Sequence, residues 1–312
     1  MRALILERNK KISRRLARYF TSAGYEVDIV EDPAKVAASV DGVSILGADA
    51  FDGKLVVDTL AEHPDMRGIL WTAEPLKRAL RYAMDMPRLS NICGRKDFES
   101  TPRPWEIVMI ASRLRDAGRD HDRQQASFSD YLDWGHAGFE ERVQSTEHRD
   151  ALVARVESYV ASMGMPKRVS ESLGELAHEL LMNAMFDAPI DEQGKPKYAN
   201  DRKASLVLPE TEQPHFRVAA DGTRVAVQVT DRFGRLRRNH IFNGLARGLD
   251  GGEIDTSHGG AGLGMVVCHN STVAMFYDVI PEQKTEVTGI FDMDLNLREF
   301  RTRARSLHFF QA

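Results

Sequence analysis

Glu179 and Asn183 are four residues apart in the run Ser170–Phe186, SESLGELAHELLMNAMF, where Leu173, Ala177, Leu180 and Ala184 make an apolar stripe and Pro189 marks the end. A helix over this run puts both polar groups on one face, one turn apart. Such a pair suits a magnesium–phosphate site. Asn183 offers the metal a hard neutral oxygen, and Glu179 can orient or deprotonate an attacking water or hydroxyl. Alone, the E-x-x-x-N pair reads more readily as an exposed polar face.

Two further segments carry compatible chemistry. Arg224–Thr230 (RVAVQVT) alternates as a strand and runs into Asp231-Arg232-Phe233-Gly234. An ionised carboxylate only accepts hydrogen bonds, so Asp231 suits the exocyclic amine of adenine and disfavours guanine. Gly234 leaves room for a base to approach the backbone. His258-Gly259-Gly260-Ala261-Gly262-Leu263-Gly264-Met265 then opens a helical segment, Leu263–Asn270. The backbone at Gly260, Gly262, Leu263 and Gly264 would face phosphates at that helix N-terminus. The preceding residues do not read as a strand, which excludes the dinucleotide-fold reading of the glycines.

In this order and spacing the three segments resemble the N, G1 and G2 boxes of the Bergerat-fold ATPase and kinase superfamily, which includes DNA gyrase, heat-shock chaperones, mismatch-repair ATPases, histidine kinases and anti-sigma-factor serine kinases. Glu179 and Asn183 match the N box, Asp231 and Gly234 match G1, and Gly260, Gly262 and Gly264 match G2. Thr288, entering a last strand Thr288–Met293, matches the threonine that assists adenine recognition. The resemblance implies ATP and Mg2+ as cofactors, Asn183 as the metal ligand, Glu179 as the catalytic base, an α/β two-layer sandwich, and a lid over Asn239–Ser257. Within the superfamily, a carboxylate at position 179 fits a hydroxyl or water nucleophile, as in the serine kinases. A histidine kinase would need an acceptor such as His121 or His148, and neither sits in an apolar heptad. A nucleotide-gated interaction switch with no turnover is the third reading.

Ahead of this domain, strands at residues 2–6, Tyr25–Val30, Val43–Leu46, Arg67–Thr72 and Leu89–Cys93 alternate with helices at Lys10–Ala23, Leu76–Met84 and Pro104–Leu114. That pattern implies a doubly wound parallel sheet. It resembles the receiver domain of two-component response regulators over residues 1–117, with Thr72-Ala73 and Lys96 in the family's places. Two departures imply a degenerate receiver that is not phosphorylated. Glu7 is followed by Arg8 where the family has a second acid. The third strand ends in Leu46-Gly47-Ala48 where the family has its aspartate, leaving Asp49 and Asp52 out of register. Such a module acts by contact, as a docking site or homodimer interface, with Tyr82, Met84, Met86 and Trp105 as candidates.

The expected division is a receiver-like domain over 1–117, a polar connector over 118–145 and the ATP-binding domain over 146–312. The 312 residues, 42% hydrophobic with net charge −4, allow two domains and call for no nucleic-acid partner. Arg232, Arg235, Arg237 and Arg238 read chiefly as a solvated turn. The two cysteines, Cys93 and Cys268, give no disulfide framework and no zinc spacing. Without an apolar run of membrane length or a signal peptide, the expectation is a cytoplasmic signalling protein with a protein partner.

Overall fold

The computed structural model describes residues 1–117, 125–249 and 261–312, and at 261–263 the backbone only. The described chain falls into two compact units: Met1–Ala126 with Arg301–Phe309, and Ser127–Phe300 with Phe310–Ala312.

In the first unit, β1 (Arg2–Leu6), β2 (Glu26–Val30), β3 (Val43–Asp49), β4 (Arg67–Thr72) and β5 (Asn91–Gly94) alternate with α1 (Lys10–Ser22), α2 (Gly53–Glu62), α3 (Leu76–Met84) and α4 (Pro104–Asp116). The strands pair in parallel in the order β2-β1-β3-β4-β5. Parallel strands need crossover helices, and right-handed crossovers running both ways from β1 put helices on both faces. Accordingly α1 packs on α4, and α2 on α3. The near-continuous apolar runs of β1, β3 and β4 are those of strands covered on both faces. Asn9 caps α1, accepting from the amides of Lys11 and Ile12.

In the second unit, β6 (Ala137–Arg142), α5 (Thr146–Ser162), α6 (Lys167–Met182), β7 (His215–Ala220), β8 (Arg224–Asp231), α7 (Arg238–Leu249), α8 (Ala261–Asn270), β9 (Ala274–Ile280), β10 (Lys284–Asp292) and α9 (Leu297–Thr302) follow in turn. The strands form an antiparallel sheet in the order β9-β10-β8-β7-β6. Helix α6 packs on α5, α8 and β8, giving an α/β sandwich. A last strand, β11 (Ser306–Gln311), pairs antiparallel with β5 through Leu307–Ile92 and His308–Asn91.

The expected fold class is observed, with differences at the boundaries. Residues 127–145 are not a connector: β6 lies there as a strand of the second sheet, and Tyr131 is fully buried, its ring 4.9 Å from Phe276 and its hydroxyl 3.2 Å from Asp278. Residues 301–309 belong with the first unit. The first part of the expected lid, 239–249, lies in helix α7, which packs on α8, and 250–257 lie outside the described residues. Among the described residues no helix is long and apolar enough to cross a membrane.

Candidate functional site

The α6 helix runs Lys167–Met182 and gives way to a π turn at Asn183–Asp187, where the Ala188 amide donates to Asn183 O at 3.0 Å. Single π turns recur at functional sites because they re-aim the side chains that follow. Here Arg202 donates to Asn183 Oδ1 at 2.9 Å and to Asp187 Oδ2 at 2.6 Å. Burial pushes the Asp187 carboxyl up; Arg202 draws it back down, and the charge of Glu179 adds to the rise. Burial and Arg149 hold the half-buried His178 imidazole below its ordinary range. The oxygen expected to hold a metal is therefore held by a guanidinium.

The start of α8 reaches this group directly. A Cβ at Gly264 would meet Glu179 Oε2, the end of a flexible side chain, so the glycine lets that backbone lie against the carboxylate in its present rotamer. Cys268, one turn further along α8, is pushed up by burial and by the charge of Glu179. Gly262 and Leu263 lie in the first turn of α8, which begins at Ala261; Gly260 lies outside the described residues.

Asp231 ends β8. Its Oδ1 accepts from the amides of Phe233 at 2.8 Å and Gly234 at 3.3 Å, closing the turn that follows. Burial pushes the carboxyl up, opposed by those amides and by Thr285. Gly234 has φ +60, and a Cβ there would strike Ile280 O and the amides of Glu282 and Gln283. The backbone that approaches Gly234 is thus the β9–β10 turn, not a base.

Strand register corrects the threonine. Thr285 lies opposite Asp231, and Thr288 opposite Gln228. Side chains alternate between faces, and a Cβ at Gly289 would meet Leu176 of α6, so odd-numbered positions of β10 face the helices. Thr288 points to the other face, where it is fully buried and accepts from Gln228 at 2.9 Å. The threonine sharing a face with Asp231 is Thr285. Two-residue alternation across β10 would have found it, had the strand been started at Lys284.

The arginine-rich turn is not uniformly solvated. Arg238 is buried with its guanidinium 4.0 Å above the Phe242 ring, and burial lowers it to about 10. His148, in the first turn of α5, places Nε2 at 2.8 Å from Glu141 and Nδ1 at 3.4 Å from the Gln144 amide, so both ring nitrogens are engaged; His121 lies outside the described residues.

A second cluster occupies the first unit, at the carboxyl ends of β1 and β3, where the strand order reverses and open α/β sheets bind ligands. Strand β3 continues to Asp49, so Asp49 ends the strand and is not out of register. Gly47 sits within β3, where a Cβ would come 2.8 Å from Trp71. Arg95 donates to Asp49 at 2.5 Å and lies 3.6 Å from Glu7, its side chain 4% exposed. Arg8 grips Asp52 through two bonds of 2.5 and 2.8 Å. Burial pushes the Asp49 carboxyl up, while the Phe51 amide and Arg95 oppose the shift. Arg95, not Lys96, is the inward cation, and Lys96 is exposed. Of the four candidate interface residues Met86 is buried, and the exposed aromatics here are Phe51 and Phe98, at 80% and 55%.

No family model and no curated protein matches the chain. Three solved structures are similar to parts of it. An atypical orphan response regulator, described as having a phosphorylation-independent regulatory mechanism, shares 14% identity at TM-score 0.30, over 40% of this chain and 95% of that one. The signal receiver domain of an HD domain-containing protein from Pseudomonas fluorescens Pf-5 shares 14% identity at TM-score 0.32, over 38% of this chain and 92% of that one. The SiaB–SiaC complex from Pseudomonas aeruginosa includes a chain with 11% identity at TM-score 0.32, over 53% of this chain and 92% of that one. The doubly wound fold of the first unit is shown by its own strand order, 2-1-3-4-5.

Two outcomes are expected at the first cluster. Arg95→Ala leaves two carboxylates without their buried cation and should lower stability in urea unfolding by about 3–5 kcal/mol; an unchanged midpoint would show that the pair contributes nothing. Acetyl phosphate with magnesium should leave the wild-type intact mass unchanged, because Arg95 holds the oxygens a metal and phosphate would need. A single phosphate adduct on Asp49 or Asp52 contradicts that.

Proposed function

We propose that this chain is an ATP-binding signalling protein whose receiver-like unit works by contact and whose second unit carries nucleotide chemistry. In this reading Asp231, joined by Thr285, selects adenine. The first turn of α8, with Gly260 before it, faces the phosphates, and Asn183 holds Mg2+. Glu179 acts on a serine, threonine or water nucleophile. The observation that carries the reading is the fit of Gly264 against Glu179, because it joins Glu179 of α6, one turn before Asn183, to the start of a helix 85 residues away in sequence. The exposed Phe51 and Phe98, beside the ends of β3 and β5, suit a protein partner or a second copy.

One observation favours a second reading, a nucleotide-gated switch without turnover. Arg202 bonds Asn183 Oδ1 and Asp187 together, so magnesium at Asn183 must displace a guanidinium. Nucleotide binding would then break one arrangement of the π turn and stabilise another.

Calorimetry should show ATP binding in preference to GTP, and Asp231→Asn should weaken ATP by about 1–3 kcal/mol through a mismatched amine pair; equal affinity for the two nucleotides sinks the adenine assignment. Turnover separates the two readings. Under the first, wild type transfers or releases phosphate and Glu179→Ala retains ATP but loses that activity. Under the second, wild type binds ATP without turnover, and Arg202→Ala lowers the magnesium concentration needed for binding.

A further inference from the structure

Cys93, Glu106 and His308 come from β5, α4 and β11, and their ligand atoms all lie within 4.8 Å of one another. All three are fully buried within the first unit. The site described above uses none of them.

The hydrogen bonds define what lies between these groups. His308 Nδ1 is 3.2 Å from Asn91 Oδ1, an acceptor, so Nδ1 carries a proton. His308 Nε2 is then aimed at Glu106 Oε1, 3.0 Å away. A ring nitrogen lone pair and a carboxylate lone pair face each other, and such a pair requires either a proton or a cation between them. The Cys93 thiol also bonds Glu106. Behind these three stand partners of the kind that orient metal ligands. Asn91 fixes the imidazole, Arg103 donates to Glu106 Oε2 at 3.3 Å, and Ser306 bonds the same carboxylate. The Gly94 amide holds Ser306 in turn, at 2.8 Å.

We propose that Cys93, Glu106 and His308 supply three ligands of a buried zinc-type divalent cation, which clamps the C-terminal strand to β5 and α4 and takes a water as its fourth ligand. One thiolate, one imidazole and one carboxylate are ligands zinc accepts, with bonds of ~2.0–2.3 Å. A tetrahedral ion with such bonds sets its ligand atoms ~3.3–3.8 Å apart, a spacing bracketed by the 3.0 Å between Nε2 and Oε1 and the 4.8 Å limit on the group. Binding balances in charge. The cation replaces the single proton shared between Nε2 and Glu106 and the thiol proton of Cys93; both protons pass to solvent. Zinc with a thiolate, a carboxylate and neutral imidazole carries the same net charge as a thiol beside a singly protonated imidazole–carboxylate pair. The cation therefore enters without adding net charge beside Arg103.

The full-length protein tests this. Material purified without chelator should hold zinc in stoichiometric amount by atomic emission, and removing it with a chelator during unfolding and refolding should lower the melting temperature. Protein produced in zinc-poor medium with Co2+ should show a thiolate-to-cobalt charge-transfer band in the near ultraviolet. Such a band cannot arise from a magnesium site at Asn183. Cys93→Ser should abolish it, and if that variant does not fold, displacement of the wild-type band by zinc supplies the same information. Wild type that folds metal-free with an unchanged melting temperature in zinc, or a cobalt spectrum without the thiolate band, overturns the proposal and leaves a proton-bridged Glu106–His308 pair.

Discussion

The guanidinium of Arg95 reaches Asp49 and Glu7 at the carboxyl edge of the parallel sheet, with 4% of its side chain exposed. An ionised carboxylate cannot leave water without a cation or several hydrogen bonds to replace its hydration. Similar acid–arginine pairs recur elsewhere among the described residues. Arg103 stands beside Glu106, Arg202 beside Asp187, and Arg224 beside Asp221. Burial works against the Asp221 carboxyl, yet the amides of Asp133, Thr223 and Arg224 and the Thr223 hydroxyl hold it at about 2. The internal acids are arranged around this constraint, and it decides what chemistry their sites retain.

In the first unit the consequence is a closed site. A topological switch point offers a crevice at the strand ends, but the acids there are consumed by arginines: Arg95 on Asp49 and Glu7, Arg8 on Asp52. The adjoining surface carries the exposed rings of Phe51 and Phe98, with Arg95 5.4 Å from the centre of the latter. The polar end of the sheet therefore adjoins a surface that carries exposed aromatic rings. In the second unit the arrangement is looser. Arg202 joins Asn183 to Asp187 across a π turn, and both acceptors are partly exposed. The Arg202 side chain is 21% exposed, against 4% for Arg95.

Close backbone approach is the other device that builds the second site. Gly264 permits contact between α8 and the Glu179 carboxylate; Gly234, at φ +60, admits the β9–β10 turn. In both places the room left by a missing Cβ is filled by the protein itself. Asp231 likewise spends one oxygen on its own turn, which fixes the carboxylate at the end of β8 with a definite orientation.

Much of the architecture was legible in the sequence because it depends on short-range periodicity. The five strands of residues 1–116 with helices α1, α3 and α4, the strand into Asp231, and the face shared by Glu179 and Asn183 follow from periods of 2 and 3.6, which local sterics impose on any chain; helix α2 (Gly53–Glu62) was not expected. The features that only the tertiary structure decided depend on register and on distant segments. One residue of phase turns a side chain to the other face of a sheet, so Thr285 and not Thr288 shares a face with Asp231. Three more residues of β3 bring Asp49 to the strand end, and the neighbour of Lys96 supplies the inward cation. Sequence spacing could not show Cys93, Glu106 and His308 as one cluster, because His308 is more than 200 residues from the other two. They meet because β11 pairs with β5, and strand pairing across such a separation is selected by the energy of the assembled core, to which no local pattern refers.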